Sequence, residues 1–194
     1  MTRRWALRLT ACLLAGAATL TGCSEKQEAS ESLPTTSSAA PSEDALPPLG
    51  PEGFAVPDNA REKTPKGAVE FARYYVKLTK YLADSSLDPE PLLTLSQDCR
   101  SCINVAQSLA QDQAAKFTYR RYDIDFNEYG PALVDGDTAQ VGFTYVQGPV
   151  LVVDEAGNVV ADRSYATPEK LESGAILLWR SDLHSWVITG LTVG

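Results

Sequence analysis

Phe117-Thr118-Tyr119-Arg120-Arg121-Tyr122-Asp123-Ile124-Asp125-Phe126 is where the chain changes period. Upstream, large apolar residues return every three or four positions, as on one face of a helix. From Phe117 onward they alternate, as on one face of a strand. Phe117 and Tyr119 share one parity, whereas Tyr122, Ile124 and Phe126 share the other. A change of parity carries side chains from one sheet face to the other, so Arg120-Arg121 predicts a bulge that bends a long strand.

On the helical side, Thr64 can cap the orphan N–H groups of a helix and Pro65 suits its first position. Ala68, Phe71, Ala72, Tyr75, Leu78 and Leu82 then make one apolar stripe, widened by Tyr74 and Tyr81. Asp88-Pro89 opens a short second helix over Leu92, Leu93 and Leu95. A third runs from Asp98 or Cys99 to Ala114, with Cys102, Val105, Ala106 and Leu109 inward. On the strand side, Val141, Phe143 and Tyr145 form the next buried face, and Val150–Val153 is apolar on both parities. Asp135-Gly136 is a turn. Glu155-Ala156-Gly157-Asn158 turns the chain back to Val159-Val160. Ala175–Trp179 and Trp186–Val193 flank a last hairpin at Ser181-Asp182-Leu183-His184. The expected fold is α+β: three helices packed on about six antiparallel strands, one domain over residues 54–194.

The N-terminus reads as export machinery. Arg3, Arg4 and Arg8 precede an apolar run from Leu9 to Leu20, which falls short of the ~20 residues that span a bilayer. Residues 1–22 are therefore a secretory signal whose cleavage exposes Cys23. Leu20-Thr21-Gly22-Cys23 resembles the lipobox of bacterial lipoproteins, in which the cysteine receives a diacylglyceryl group before cleavage. That resemblance implies a membrane partner through lipid on Cys23, at the extracytoplasmic face of the cell membrane. Thr2-Arg3-Arg4 also resembles a twin-arginine signal, but Ala6 stands where that signal prefers a bulky apolar residue, which favours general secretion. Residues 23–53 are rich in Ser, Pro, Ala and Glu and have too few large apolar side chains to offset chain entropy. They read as a disordered tether, and about 30 flexible residues span roughly 30 Å.

Charge narrows the partners. The chain has 17 basic and 25 acidic side chains. Residues 1–22 hold three arginines and no acid, so their removal leaves 14 against 25, a net of −11. This excludes nucleic acid, whose phosphates need a basic footprint. It also argues against a flat seat on anionic lipid.

Cys12 leaves with the signal and Cys23 is the lipid site, so Cys99 and Cys102 remain as a pair. Cysteines three apart can form a local disulfide, worth about 2 kcal/mol on the chain-entropy model. A redox-exchange site and a zinc site compete with that reading. No strand–CxxC–helix unit of a parallel sheet supports the first, and no further ligands support the second. His184, the only histidine, falls on a hairpin turn, which weakens histidine-based catalysis. Asp123 and Asp125 lie about 7 Å apart on one strand face. They are a carboxylate pair of the kind glycosidases use, or simply the wet side of the strand. Tyr74, Tyr75, Tyr122 and Tyr145, with Tyr119, are candidates to line an interior pocket, in competition with ordinary aromatic core. No catalytic residue, metal set or cofactor motif is assigned: phosphate-cradling, calcium-loop and HExxH patterns are lacking.

The helix order, the bent strand and the final Leu178-Trp179-Arg180…Ser185-Trp186-Val187-Ile188 hairpin resemble the nuclear-transport-factor-two-like (SnoaL-like) cone fold. In that fold a curved sheet wraps the helices and leaves a pocket. Ala60-Arg61-Glu62-Lys63-Thr64, Phe71-x-x-Tyr74-Tyr75, Cys99-x-x-Cys102, Asp154…Gly157 and Trp186-x-Ile188, with the lipobox, look like an actinobacterial lipoprotein family of unknown function. These resemblances imply a fold and a location but no activity. The leading expectation is a non-catalytic domain that binds an envelope protein or small ligand. The alternative is an isomerase- or cyclase-type enzyme with a buried Asp or Tyr as acid or base. A solute receptor of the two-lobed kind finds no closing cleft in one small domain. A deep apolar pocket holding a carboxylate favours the enzyme; a cone filled by Phe and Leu excludes it.

Overall fold

The computed structural model describes Leu46 and residues 48–194. The signal segment, the Leu20-Thr21-Gly22-Cys23 motif and most of the tether lie outside the described residues. Helix α1 covers Pro65–Asp84, and the Thr64 hydroxyl accepts from the Gly67 amide at 3.0 Å. Glycine is required at position 67, because a Cβ there would stand 2.1 Å from the Glu62 carbonyl oxygen. Helix α2 is one short turn, Glu90–Thr94, and α3 runs Arg100–Ala114. Leu92 and Leu95 are buried, but Leu93 faces outward.

The sheet has five strands: β1 (Thr118–Glu128), β2 (Leu133–Asp135), β3 (Thr138–Val153), β4 (Glu169–Arg180) and β5 (Ser185–Val193). All pairings are antiparallel, in the order β1-β3-β4-β5, with β2 also on β3. The expected count of about six loses two strands and gains one, the short β2. Val141–Tyr145 and Val150–Val153 are two parts of the single 16-residue β3. Val159 makes only one isolated bridge, to Val153.

The bulge expected at Arg120-Arg121 is present: Tyr119 pairs Val152 and Arg121 pairs Leu151, which leaves Arg120 without a partner. A second irregularity follows. Tyr122 pairs Val150, yet Ile124 pairs Gln147, so β3 carries the extra residue at Gly148-Pro149. Proline has no N–H to give a ladder and is tolerated in sheets at such bulges. Gly148 fits because a Cβ would lie 2.8 Å from that of Asp123. Val150, Val152 and Val153 are buried, whereas Leu151 is 37% exposed, so this stretch is covered on both faces only in part.

The core lies between the helices and one sheet face. Phe71, Tyr75, Leu78 and Leu82 of α1 meet Phe126, Phe143, Leu177, Trp186 and Ile188 of the sheet. Burying each such side chain contributes about 1.5–3 kcal/mol. The Phe126 and Phe143 rings stack with centroids 4.3 Å apart, and the Trp186 indole N–H donates to the Glu62 carbonyl at 2.8 Å. Leu49, assigned to the tether in the sequence reading, is a core residue. Just after it, the Phe54 ring stacks on Tyr74 and Tyr81, whose hydroxyls donate to the carbonyls of Phe54 and Glu52.

Candidate functional site

The two β-bulges decide which side chains face the helices at one end of this interface. The first sets Tyr119 and Tyr122 on the same side despite their odd spacing. The second does the same for Gln147 and Val150. Thr79 and Ala83 from the last turns of α1, and Val105, Ser108 and Leu109 from α3, stand opposite. Arg163 and Tyr165, from the connection between β3 and β4, complete the wall. Together they line a half-open cavity of about 220 Å³.

Asp112 lies behind this wall with its side chain 1% exposed. One carboxylate oxygen accepts the Tyr119 hydroxyl at 2.6 Å. The other lies 3.1 Å from the Arg163 guanidinium, an ion pair without hydrogen-bond geometry. Arg163 also donates to the Ser108 hydroxyl at 2.9 Å and to the Gln111 amide oxygen at 3.4 Å. Burial, then the bond to Asp112 and its negative charge, pushes the Tyr119 hydroxyl well above the usual tyrosine range. A buried carboxylate so placed depends on its partners, because losing one leaves an uncompensated charge.

Of the tyrosines singled out from sequence, Tyr122 lines the cavity, and Tyr145 reaches it through a hydroxyl contact of 3.2 Å with Tyr122. Burial, then the neighbouring Tyr122, raises the Tyr145 pKa. Tyr75 lies elsewhere: its buried hydroxyl donates to the Leu92 carbonyl and is pushed up to about 12 by burial. Tyr74 lines a separate shallow depression with Phe54, Arg73 and Lys77. Burial, then Tyr81, raises its pKa.

The remaining candidates are scattered. Asp123 pairs with Arg121 at 2.7 Å, Asp125 accepts from the Phe126 amide, and both carboxylates are exposed. His184 is exposed on the β4–β5 turn with φ 46°, and its carbonyl accepts from Arg61. The sulfurs of Cys99 and Cys102 are 2.01 Å apart, both residues are buried, and Cys99 caps α3 by accepting from the Cys102 amide.

Sequence reasoning missed Asp112, Arg163, Ser108, Gln147 and Tyr165. One signal for Asp112 was present: it sits three residues after Leu109, a charge on the inward stripe of α3. Arg163 carries no such mark, because only the fold brings its connection over α3.

A larger hollow of about 500 Å³ opens on the other sheet face over Gly142, Gly174 and Gly190. It is an uncharged trough, in which the Tyr129 ring lies over Gly142 and Ile176 over Gly190. The 220 Å³ cavity is the better candidate site because it combines apolar walls with convergent polar groups. It can hold a small molecule by shape and hydrogen bonding.

Superposition on the intermembrane space region of chloroplast protein ARC6 gives a TM-score of 0.50 at 15% identity, covering 64% of this chain and 95% of that one. At this identity the likeness shows the fold alone. A nuclear transport factor 2 (NTF2-like) superfamily protein from Salmonella enterica aligns with a TM-score of 0.43 and 11% identity, over 66% of this chain and 90% of its own. No curated protein matches the chain at a significant level. Residues 55–191 match a family of unknown function (DUF6318) along most of the chain, and the protein belongs to that family.

Proposed function

We propose that this protein is a cell-envelope lipoprotein of the actinobacterial kind. Lipid on Cys23 holds it at the extracytoplasmic face of the membrane, and its cone-like domain binds a small ligand without catalysis. One observation carries the binding half: the half-open cavity has a single charged lining group, Arg163, and Asp112 already neutralises it. An acid–base catalyst has to present a proton donor or acceptor to its substrate. Asp112 does not line the cavity, and its oxygens face Tyr119 and Arg163. That weakens an isomerase or cyclase built on an aspartate; Tyr119, Tyr122 and Tyr165 line the cavity and are the residues on which a tyrosine-based alternative rests.

The anchor half is supported by the arginines, the apolar run and Leu20-Thr21-Gly22-Cys23. No helix among the described residues is long and apolar enough to cross a membrane. Acyl chains contribute about 0.8 kcal/mol per buried methylene, and more than one chain gives durable attachment. Cys23→Ala is expected to abolish incorporation of a labelled fatty acid and to release the protein from membranes; persistent attachment refutes the anchor. For the binding half, the full chain extracted from its own membrane should carry a stoichiometric small molecule by native mass spectrometry. An envelope protein captured by in-cell crosslinking in its place would turn the reading toward partner docking.

A further inference from the structure

The walls of the half-open cavity are not equally firm. Those from α1, α3 and the sheet each include a buried side chain: Ala83, Leu109 and Val150. The remaining wall is Arg163 and Tyr165, from the connection between β3 and β4, and no residue from 154 to 168 is buried. A segment with so few buried contacts belongs to the part of a fold that opens first. The connection is also attached differently on its two sides. Along β3 the attachment is largely main chain. The Val160 N–H donates to the Val152 carbonyl at 2.9 Å, and the Val152 N–H donates to the Ser164 hydroxyl at 3.0 Å. Val150 and Tyr165 exchange N–H···O bonds of 2.8 and 2.9 Å. Between these points Ala161–Arg163 form a 3-10 turn. The turn's own bonds run from the Arg163 N–H to the Val160 carbonyl at 3.1 Å and from the Ser164 N–H to the Ala161 carbonyl at 3.4 Å. Toward α3 the turn reaches through one side chain: Arg163 donates to Ser108 and Gln111 and pairs with Asp112. The other link on that side joins Lys116 to Glu155, whose side chains are 67% and 72% exposed, and such pairs contribute little.

The hold of Arg163 on α3 is imperfect. One Asp112 oxygen is buried and makes no hydrogen bond, although the guanidinium lies 3.1 Å away, and a buried acceptor left unmade is costly. Withdrawal of Arg163, whose side chain is already 29% exposed, lets water reach that oxygen. This brings the closed and open arrangements nearer in free energy. Resting on the binding function proposed above, we infer that the Ala161–Arg163 turn is a movable wall of the site. It pivots on its bonds to β3, Arg163 is its latch on α3, and its release lets the half-open cavity widen around an occupant larger than the resting space.

Amide exchange of the full chain, with no ligand added and followed residue by residue, is the test. Ser108→Ala combined with Gln111→Ala removes two acceptors of the latch, leaves Asp112 paired, and keeps the turn's own sequence. It is expected to speed exchange about threefold at the Arg163 and Ser164 amides, with Val160 and Tyr165 unchanged. Arg163→Met keeps the stem and removes the charge. It should speed the Ser164 amide at least about tenfold after correction for intrinsic rate, the equivalent of one hydrogen bond. Equal acceleration at Val160 and Tyr165 in the double variant would mean that the connection peels from β3 as a whole, and overturns the pivot. Acceleration spread through α3 and β3 in that variant would make Arg163 a structural brace, and overturns the movable wall. No acceleration in either variant overturns the latch. Whether anything occupies the cavity is decided by the mass spectrometry above, so the binding function can fail while the wall still moves, and the reverse.

Discussion

The two ends of the α1–sheet interface are built from the same elements and finish differently. At one end, Phe71 and Tyr75 from the first three turns of α1 meet Phe126, Phe143 and Trp186, all less than 3% exposed. At the other, Thr79 and Ala83 from the second half of α1 meet Tyr119, Tyr122, Gln147 and Val150 around a cavity of about 220 Å³. The difference arises from side-chain size and from register. Ala83 and Ser108 leave volume where Phe71 would fill it, and the two bulges of the β1–β3 ladder lie at the open end, between Tyr119 and Ile124, while a third irregularity interrupts β4–β5 between Ile176 and Leu177. Past Ile124 the pairing of β1 with β3 is regular, from Ile124↔Gln147 to Glu128↔Phe143. A regular ladder supports dense packing; the irregular one turns polar side chains inward.

The sharpest way to break this comparison is to hollow the filled end. Phe143→Ala removes a ring that is 0% exposed and stacked on Phe126. A loss of about 3–5 kcal/mol is expected in urea unfolding. A loss under 1 kcal/mol would mean that the filled end is as loosely packed as the open one. At the open end the largest single effect should come from Asp112→Ala. It strands the half-buried Tyr119 hydroxyl and leaves Arg163 without its anion. Removing one member of a buried pair costs about 3–5 kcal/mol. Arg163 is 29% exposed and regains water, so about 2 kcal/mol is expected here. If stability does not change, Asp112 is not what closes the back of the cavity.

Much of the filled end could be read in the chain, and little of the open end. The α1 stripe, the Thr64 cap and the alternation of Tyr122, Ile124 and Phe126 each depend on local period or capping chemistry, which sequence carries directly. The parity switch at Arg120-Arg121 even located the first bulge. The second bulge had a local mark, Gly148-Pro149, that hydrophobic period alone does not read, so Val141–Tyr145 and Val150–Val153 stand as separate runs on either side of it. That separation both inflated the strand count and hid that Gln147 and Val150 face the same space. The Asp112–Arg163 pair joins residues 51 positions apart, one on α3 and one in a three-residue 3-10 turn, Ala161–Arg163, between β3 and β4. No periodicity relates them, so only the fold assembles them.

The tyrosines offer the finest discrimination between the two ends, by titration. Tyr75, at the filled end, is raised from 10.0 to about 12 by burial, with a bond to Ser96 opposing. A group whose folded pKa exceeds its unfolded value stabilises the fold below the unfolded pKa. Tyr75 therefore contributes stability that is intact below pH 10 and is lost as pH rises toward 12. Tyr119, at the open end, is raised by burial and then by Asp112. Asp112→Asn keeps an oxygen for the Tyr119 hydroxyl but removes the negative charge. Ultraviolet titration of that variant, followed below its unfolding transition, should show one hydroxyl ionising at lower pH than in wild type but still above pH 10, since burial remains. Tyr75 should not move. A shift of both would mean that Asp112 stabilises the whole interface. A shift of neither would mean that burial alone governs Tyr119, and that the two ends differ in shape but not in electrostatics.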